Sequence, residues 1–274
     1  MADTVLAEKV TVPKIRARKR RSGSEPIVML TAYDTPGARI CDAAGVDVVL
    51  VGDSVADNVL GYPNTLQVDI ATMAHHVAAV GRATPRALVV GDMPWLSYHV
   101  SAEDAVRNAA RLVRAGAEAV KLEGGRSRAA TVEALLAAEI PVMGHLGLTP
   151  QSVHVMGGFK VQAKEQAAAD VLLQDAKALA AVGCFAIVLE GVPDVVAATV
   201  TAEVDVPTIG IGAGPACDGQ VLVFHDLLGL NEGKAPKFVR RYAQLSQVAA
   251  EAVRVWAADV RSGTFPSDAE TYHA

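Results

Sequence analysis

Short runs of Val, Ile and Leu recur along the chain, each followed by a longer Ala-rich stretch in which apolar residues return at helical spacing. The runs at 27–32, 47–51, 87–90, 119–122, 141–144, 186–189, 208–211 and 221–224 predict about eight strands. Most are continuously apolar rather than alternating, as expected of strands covered on both faces. Between them the spacing predicts helices at 69–81, 102–116, 129–138, 165–183 and 193–203, with a last one at 238–260. Ser101 followed by Asp104 resembles a capping box, and Gly116 and Gly183 stand where a left-handed residue would end a helix. Alternating strands and helices make a parallel sheet, open or closed, and a count of eight favours closure. The expected fold class is α/β, a single-domain (β/α)8 TIM barrel at 27–266 with an N-terminal basic arm or helix at 1–26 and a tail at 267–274. Residues 148–164, which include Gly157-Gly158, interrupt the periodicity and predict a binding loop or lid.

Composition narrows the function. With 25 Lys+Arg against 30 Asp+Glu, the net charge of -5 argues against a general nucleic-acid binder. Lys14, Arg16, Arg18, Lys19, Arg20 and Arg21 oppose that average. They predict either a nucleic-acid or targeting patch or a solvated face of the arm, ended by Ser22-Gly23-Ser24, and the second reading is preferred. Cys41, Cys184 and Cys217 are odd in number and far apart, so neither a disulfide framework nor a CxxC site is expected. With no apolar run of membrane-spanning length and no apolar signal core, the expectation is a cytoplasmic protein without membrane partners.

Barrels of this kind do chemistry at the C-terminal ends of their strands. The predicted strands lead into Gly52-Asp53-Ser54, Gly91-Asp92-Met93, Lys121-Leu122-Glu123, Gly144-His145-Leu146 and Leu189-Glu190-Gly191. Each acid alone could be a turn former beside glycine. Together they would repel one another unless a cation sits between them or one holds a proton. Carboxylates without nearby Cys or paired His suit a hard divalent ion, Mg2+ before Zn2+. Asp53 and Asp92 are the expected direct ligands, with Glu123 reaching the ion through water. Lys121 and Glu123, two apart on one strand, share a face. Lys121 would balance substrate charge or pair with a neighbouring acid, Glu190 is free to act as a base, and His145 is either a substrate contact or a satisfied structural group. The Gly210–Gly214 segment runs on into another strand instead of opening a helix, so a dinucleotide loop is disfavoured. His75 and His76, adjacent on a helix, are expected to pack or face solvent.

These strings, together with Met29–Asp34, Gly144–Gln151, Leu189–Pro193 and Ile209–Gln220, resemble the ketopantoate hydroxymethyltransferase family from about Val10 to Phe265. The resemblance implies a (β/α)8 barrel that transfers a one-carbon unit from 5,10-methylenetetrahydrofolate to 3-methyl-2-oxobutanoate with Mg2+, in a homo-oligomer as large as a decamer. It implies Asp53 and Asp92 as metal ligands and Glu123 in the outer set. It also implies Asp53, Ser54, Asp92 and Lys121 around the keto acid, and Glu190 as general base. A Mg2+-dependent lyase of 2-oxo acids on a similar barrel would use the same acids without folate, and a non-catalytic binding barrel is the remaining alternative.

Overall fold

Val- and Ile-rich runs become strands because branched side chains pack well on a pleated surface covered from both sides. In the computed structural model, which describes residues 8–19, 25–83, 85–231, 233 and 235–273, eight of them close into a parallel barrel in sequential order. In chain order the elements are α1 (Val12–Arg16), β1 (Ile27–Thr31), α2 (Thr35–Ala43), β2 (Val48–Val51), α3 (Val55–Asn58), α4 (Ile70–Gly81), β3 (Leu88–Asp92) and α5 (Ala102–Ala115). There follow β4 (Ala119–Glu123), α6 (Ala129–Ala137), β5 (Val142–Gly147), α7 (Val153–Met156), α8 (Gln166–Val182), β6 (Ala186–Glu190), α9 (Asp194–Glu203), β7 (Thr208–Ile211) and β8 (Gly219–Leu222). The chain ends in α10 (Phe224–Leu228) and α11 (Leu245–Ser262). It forms two compact units, residues 1–224 and 225–274, so the 27–266 span assigned to the barrel holds all eight strands and, from His225, the second unit.

The helix ends carry the expected residues, although the capping box at Ser101 is formed on one side alone. Ser101 accepts a hydrogen bond from Asp104 N at the start of α5, and Gly116 and Gly183 end α5 and α8 at φ 119° and 112°. The apolar spacing does not predict α2, which opens with the Asp34 side chain accepting from Gly37 N. The last strand lies two residues earlier than its apolar run suggested. Gly219 pairs with both Ile27 and Ile209, and a Cβ there would stand 2.5 Å from the Ile27 carbonyl oxygen, so only glycine lets the barrel close. The helix expected at 238–260 starts at Leu245. The 148–164 stretch is not wholly irregular, holding a 3-10 turn at Pro150–Ser152 and then α7.

The arm corrects the expectation of a solvated basic face in part, since Arg16 is exposed but Lys19 is not. Val10 and Ile15 belong to the core cluster that fills the barrel, with Ile27, Val48, Leu88 and Ala119. Lys19 is buried and pairs with Asp218 at 2.7 Å, while Arg18 pairs with Asp47 and Lys14 with Glu8. Apolar burial draws the segment in, and Lys19 takes a carboxylate partner because an unpaired charge there would be costly. Arg20, Arg21 and the expected stop at Ser22-Gly23-Ser24 lie outside the described residues.

Candidate active site

Side chains two apart on a strand share a face. The core cluster therefore identifies columns that point into the barrel, and the columns continue into polar residues at the C-terminal end. Leu88 and Val90 lead to Asp92, Ala119 to Lys121 and Glu123, Met143 to His145, and Ala186 and Val188 to Glu190. Strand pairing sets Asp92 beside Lys121, Glu123 beside His145 and Gly147 beside Glu190. Asp92, Glu123 and Glu190 close their strands as last residues, and Asp53 and Ser54 follow β2.

The seven residues singled out in the sequence come together. Lys121 Nζ lies 2.8 Å from Asp92 Oδ1 and 3.4 Å from His145 Nδ1. His145 lies between two acids, its Nδ1 3.4 Å from Glu123 Oε1 and its Nε2 3.2 Å from Glu190 Oε2. Asp53 N donates to Asp92 Oδ2 at 3.1 Å. Ser54 Oγ is 2.8 Å from Tyr33 Oη, which accepts from Thr31 Oγ1 at 3.0 Å. Glu190 is the most open of the four acids, with 16% of its side chain exposed. His76 Nδ1 is 2.8 Å from the Tyr33 carbonyl, a packing role in keeping with its mid-helix place.

The tight β5–β6 seam has a local cause. Gly147, at φ 94°, would place a Cβ 2.3 Å from the Glu190 carbonyl oxygen, so glycine is required there twice over. Three further residues went unassigned in the sequence: Tyr33, Tyr98 and Gln151. Tyr33 and Gln151 stand inside the quoted strings, so position hinted at them, whereas Tyr98 follows Trp95-Leu96 with no signal of its own.

Burial governs the electrostatics. It pushes the Asp53 carboxyl up to about 6, helped by Glu123, and that of Asp92 up to about 7, where Lys121 opposes the rise. Burial disfavours the Lys121 charge, yet Asp92, Glu123 and Asp53 outweigh it and hold the amine protonated. His145 is likewise penalised by burial and by Lys121, but hydrogen bonding to Glu123 and Glu190 carries it up to about 9. All these raised groups act in one direction. Between about pH 4 and 7 an unfolded chain has released protons that Asp53 and Asp92 still hold, so stability falls as pH rises. The His145 contribution is complete below its unfolded value near 6.5 and is lost as pH passes about 9. Calorimetry of the protein in EDTA is therefore expected to show a melting temperature that drops by several degrees from pH 5 to 9. A level or rising curve would contradict these directions.

Asp92 Oδ1 and Glu123 Oε1 are buried without a well-directed hydrogen bond. Among the described residues no three His, Cys, Asp or Glu side chains form a ready-made metal cage. An eight-stranded barrel whose C-terminal mouth gathers four carboxylates, a lysine and a histidine from adjacent strands defines an enzyme. Residues 9–268 match the model of the family described as ketopantoate hydroxymethyltransferase. The chain is 55% identical over 255 residues to a 3-methyl-2-oxobutanoate hydroxymethyltransferase of Koribacter versatilis, covering 93% of this chain and 86% of the relative. A protein of the same description from Ignicoccus hospitalis is 56% identical over 261 residues, covering 95% and 98%. Among solved structures, 2,3-dimethylmalate lyase superposes with a TM-score of 0.61 at 17% identity, covering 95% of this chain and 91% of that one, which speaks to the fold alone. The chain belongs to the ketopantoate hydroxymethyltransferase family and is a transferase.

Proposed function

We propose that the chain adds a hydroxymethyl unit to C3 of 3-methyl-2-oxobutanoate, giving 2-dehydropantoate on the way to pantothenate, with 5,10-methylenetetrahydrofolate as donor and Mg2+ as metal. The observation that carries this reading is the chain of contacts Asp92–Lys121–His145–Glu190, which joins anion-binding and proton-accepting groups across four strands of a family member. Asp53 and Asp92 would hold Mg2+ directly and Glu123 through water. The donor set fits, since all three offer hard oxygen and two oxygens lack well-directed hydrogen bonds. When bound, the ion supplies Lewis acidity to the carboxylate and carbonyl oxygens of the keto acid.

The chain's own groups supply the rest. Lys121 offsets the negative charge of the keto acid, and Ser54 offers its hydroxyl to it. The contact of His145 Nε2 with Glu190 Oε2 occupies one carboxylate oxygen and leaves the other to take the C3 proton. Carbon C3 then forms its new bond to the one-carbon unit, tetrahydrofolate leaves, and water provides the hydroxyl oxygen. The 148–164 loop is suited to close over the folate. Its ends are tied next to the base, Leu148 N donating to the Glu190 carbonyl at 2.8 Å and Gln162 N to the Gly191 carbonyl at 2.9 Å, and it exposes Val155 and Phe159. Homo-oligomerisation is supported by α11, where Val248, Val255 and Trp256 are exposed. No helix among the described residues is long and apolar enough to cross a membrane, and the reading retains a cytoplasmic enzyme.

Turnover is expected to vanish when either 5,10-methylenetetrahydrofolate or Mg2+ is withheld and to return when each is restored. Product formation that survives exhaustive EDTA treatment removes the metal from the reading. Product formation from a carbon–carbon lyase substrate, without folate, favours the lyase instead.

A further inference from the structure

Gln151 and Tyr98 are buried among the acids, and neither is expected to meet the keto acid. Glu123 N donates to Tyr98 Oη at 3.2 Å. With its acceptor side engaged, the phenol points its single proton at Gln151 Oε1, 2.6 Å away. That bond decides which way the amide faces, because a flipped amide would set two donors against a donor. Gln151 Nε2 is thereby turned to donate to Asp53 Oδ2 at 2.8 Å and to the Met93 carbonyl at 3.0 Å. The backbone N–H of Gln151 donates to Glu123 Oε2 at 3.0 Å. Both side chains thus use every strong donor and acceptor they have, and the direction of each bond is fixed by the next. One residue from the β5 loop ties together the ends of β2, β3 and β4.

We propose that Tyr98 and Gln151 are positioning residues that set the rotation of the Asp53 and Glu123 carboxylates, holding Oδ2 and Oε2 back so that Oδ1 and Oε1 face a divalent cation. The inference rests on the reading of Asp53 and Glu123 as metal groups. A carboxylate free to rotate would meet the ion with either oxygen and would first have to be ordered. A donor on one oxygen removes that cost before the ion arrives. Partners of metal ligands typically account for about 10–100-fold in affinity or activity.

Mn2+ binding to the metal-free full chain, followed by the electron paramagnetic resonance signal of the free ion, tests this with Tyr98→Phe and Gln151→Met. Tyr98→Phe keeps the ring and its packing, so it remains informative if Gln151→Met folds poorly. Both variants are expected to bind Mn2+ about 10–100-fold more weakly. Turnover at low Mg2+ should fall in step and return largely at saturating Mg2+, a rescue that general structural damage would not give. Unchanged Mn2+ affinity in Tyr98→Phe, with normal binding by the parent chain, overturns the positioning role and leaves the metal reading intact. A parent chain that binds no Mn2+ overturns both.

Discussion

Glu190→Gln is expected to bind the keto acid and Mg2+ as before while losing about 100- to 10,000-fold in the exchange of the C3 proton for solvent deuterium. The amide matches the carboxylate in shape and can still hydrogen-bond with His145, whose Nε2 lies 3.2 Å from Glu190 Oε2. What it cannot do is accept a proton from carbon. Deuterium exchange, followed by proton NMR without the folate donor, isolates that step from carbon–carbon bond formation. Normal exchange in the variant would remove Glu190 as the base and turn attention to His145, the only other proton carrier in direct contact with it among the contacts described above. The openness of Glu190 relative to the other acids agrees with a group that must reach a substrate carbon rather than only frame the site.

Asp92 should be the most sensitive position of all. Asp92→Ala removes a proposed metal ligand, strips Lys121 of its 2.8 Å ion-pair partner and leaves Asp53 N without its acceptor. Breaking one side of a buried pair costs about 3–5 kcal/mol, so lost activity in this variant mixes chemistry with instability. Asp92→Asn separates them, since its side-chain oxygen can still accept from Asp53 N while the negative charge is gone. Turnover in Asp92→Asn is expected to drop at least about 1,000-fold, the equivalent of roughly 4 kcal/mol in the transition state. Mg2+ affinity by calorimetry should fall with it, while far-ultraviolet circular dichroism stays that of the parent. Asp92→Asn turning over at the parent's rate would end the case for Asp92 as a ligand.

Much of this was readable in the chain because the barrel couples local pattern to global place. Once the apolar runs were strands, two-residue alternation fixed which of their last residues pointed inward, and Asp92, Lys121, Glu123 and Glu190 followed. His145 was harder: it sits within β5 rather than past its end, and a histidine there reads equally as packing or chemistry. Its contacts with both Glu123 and Glu190 bring it into the acid cluster, and those depend on which strands are neighbours. Tyr98 was illegible for the same reason, as its meaning lies in a hydrogen bond to Gln151, 53 residues further along the chain. The arm was misread at Lys19 because charge counting ignores partners. Lys19 is paired with Asp218, 199 positions further along the chain.

The seam between β5 and β6 has a consequence for timing. Gly147 admits no side chain against the Glu190 carbonyl, and Leu148 N and Gln162 N both hold main-chain oxygens at Glu190 and Gly191. The loop that would meet the one-carbon donor and the carboxylate that would take the proton therefore hang from one stretch of backbone. Displacing the loop's ends would break or strain hydrogen bonds to the backbone of Glu190 and Gly191. A reactive carbanion formed without its partner would be wasted on solvent, and a shared hinge is a mechanical way for the arrival of one substrate to be felt by the group that activates the other.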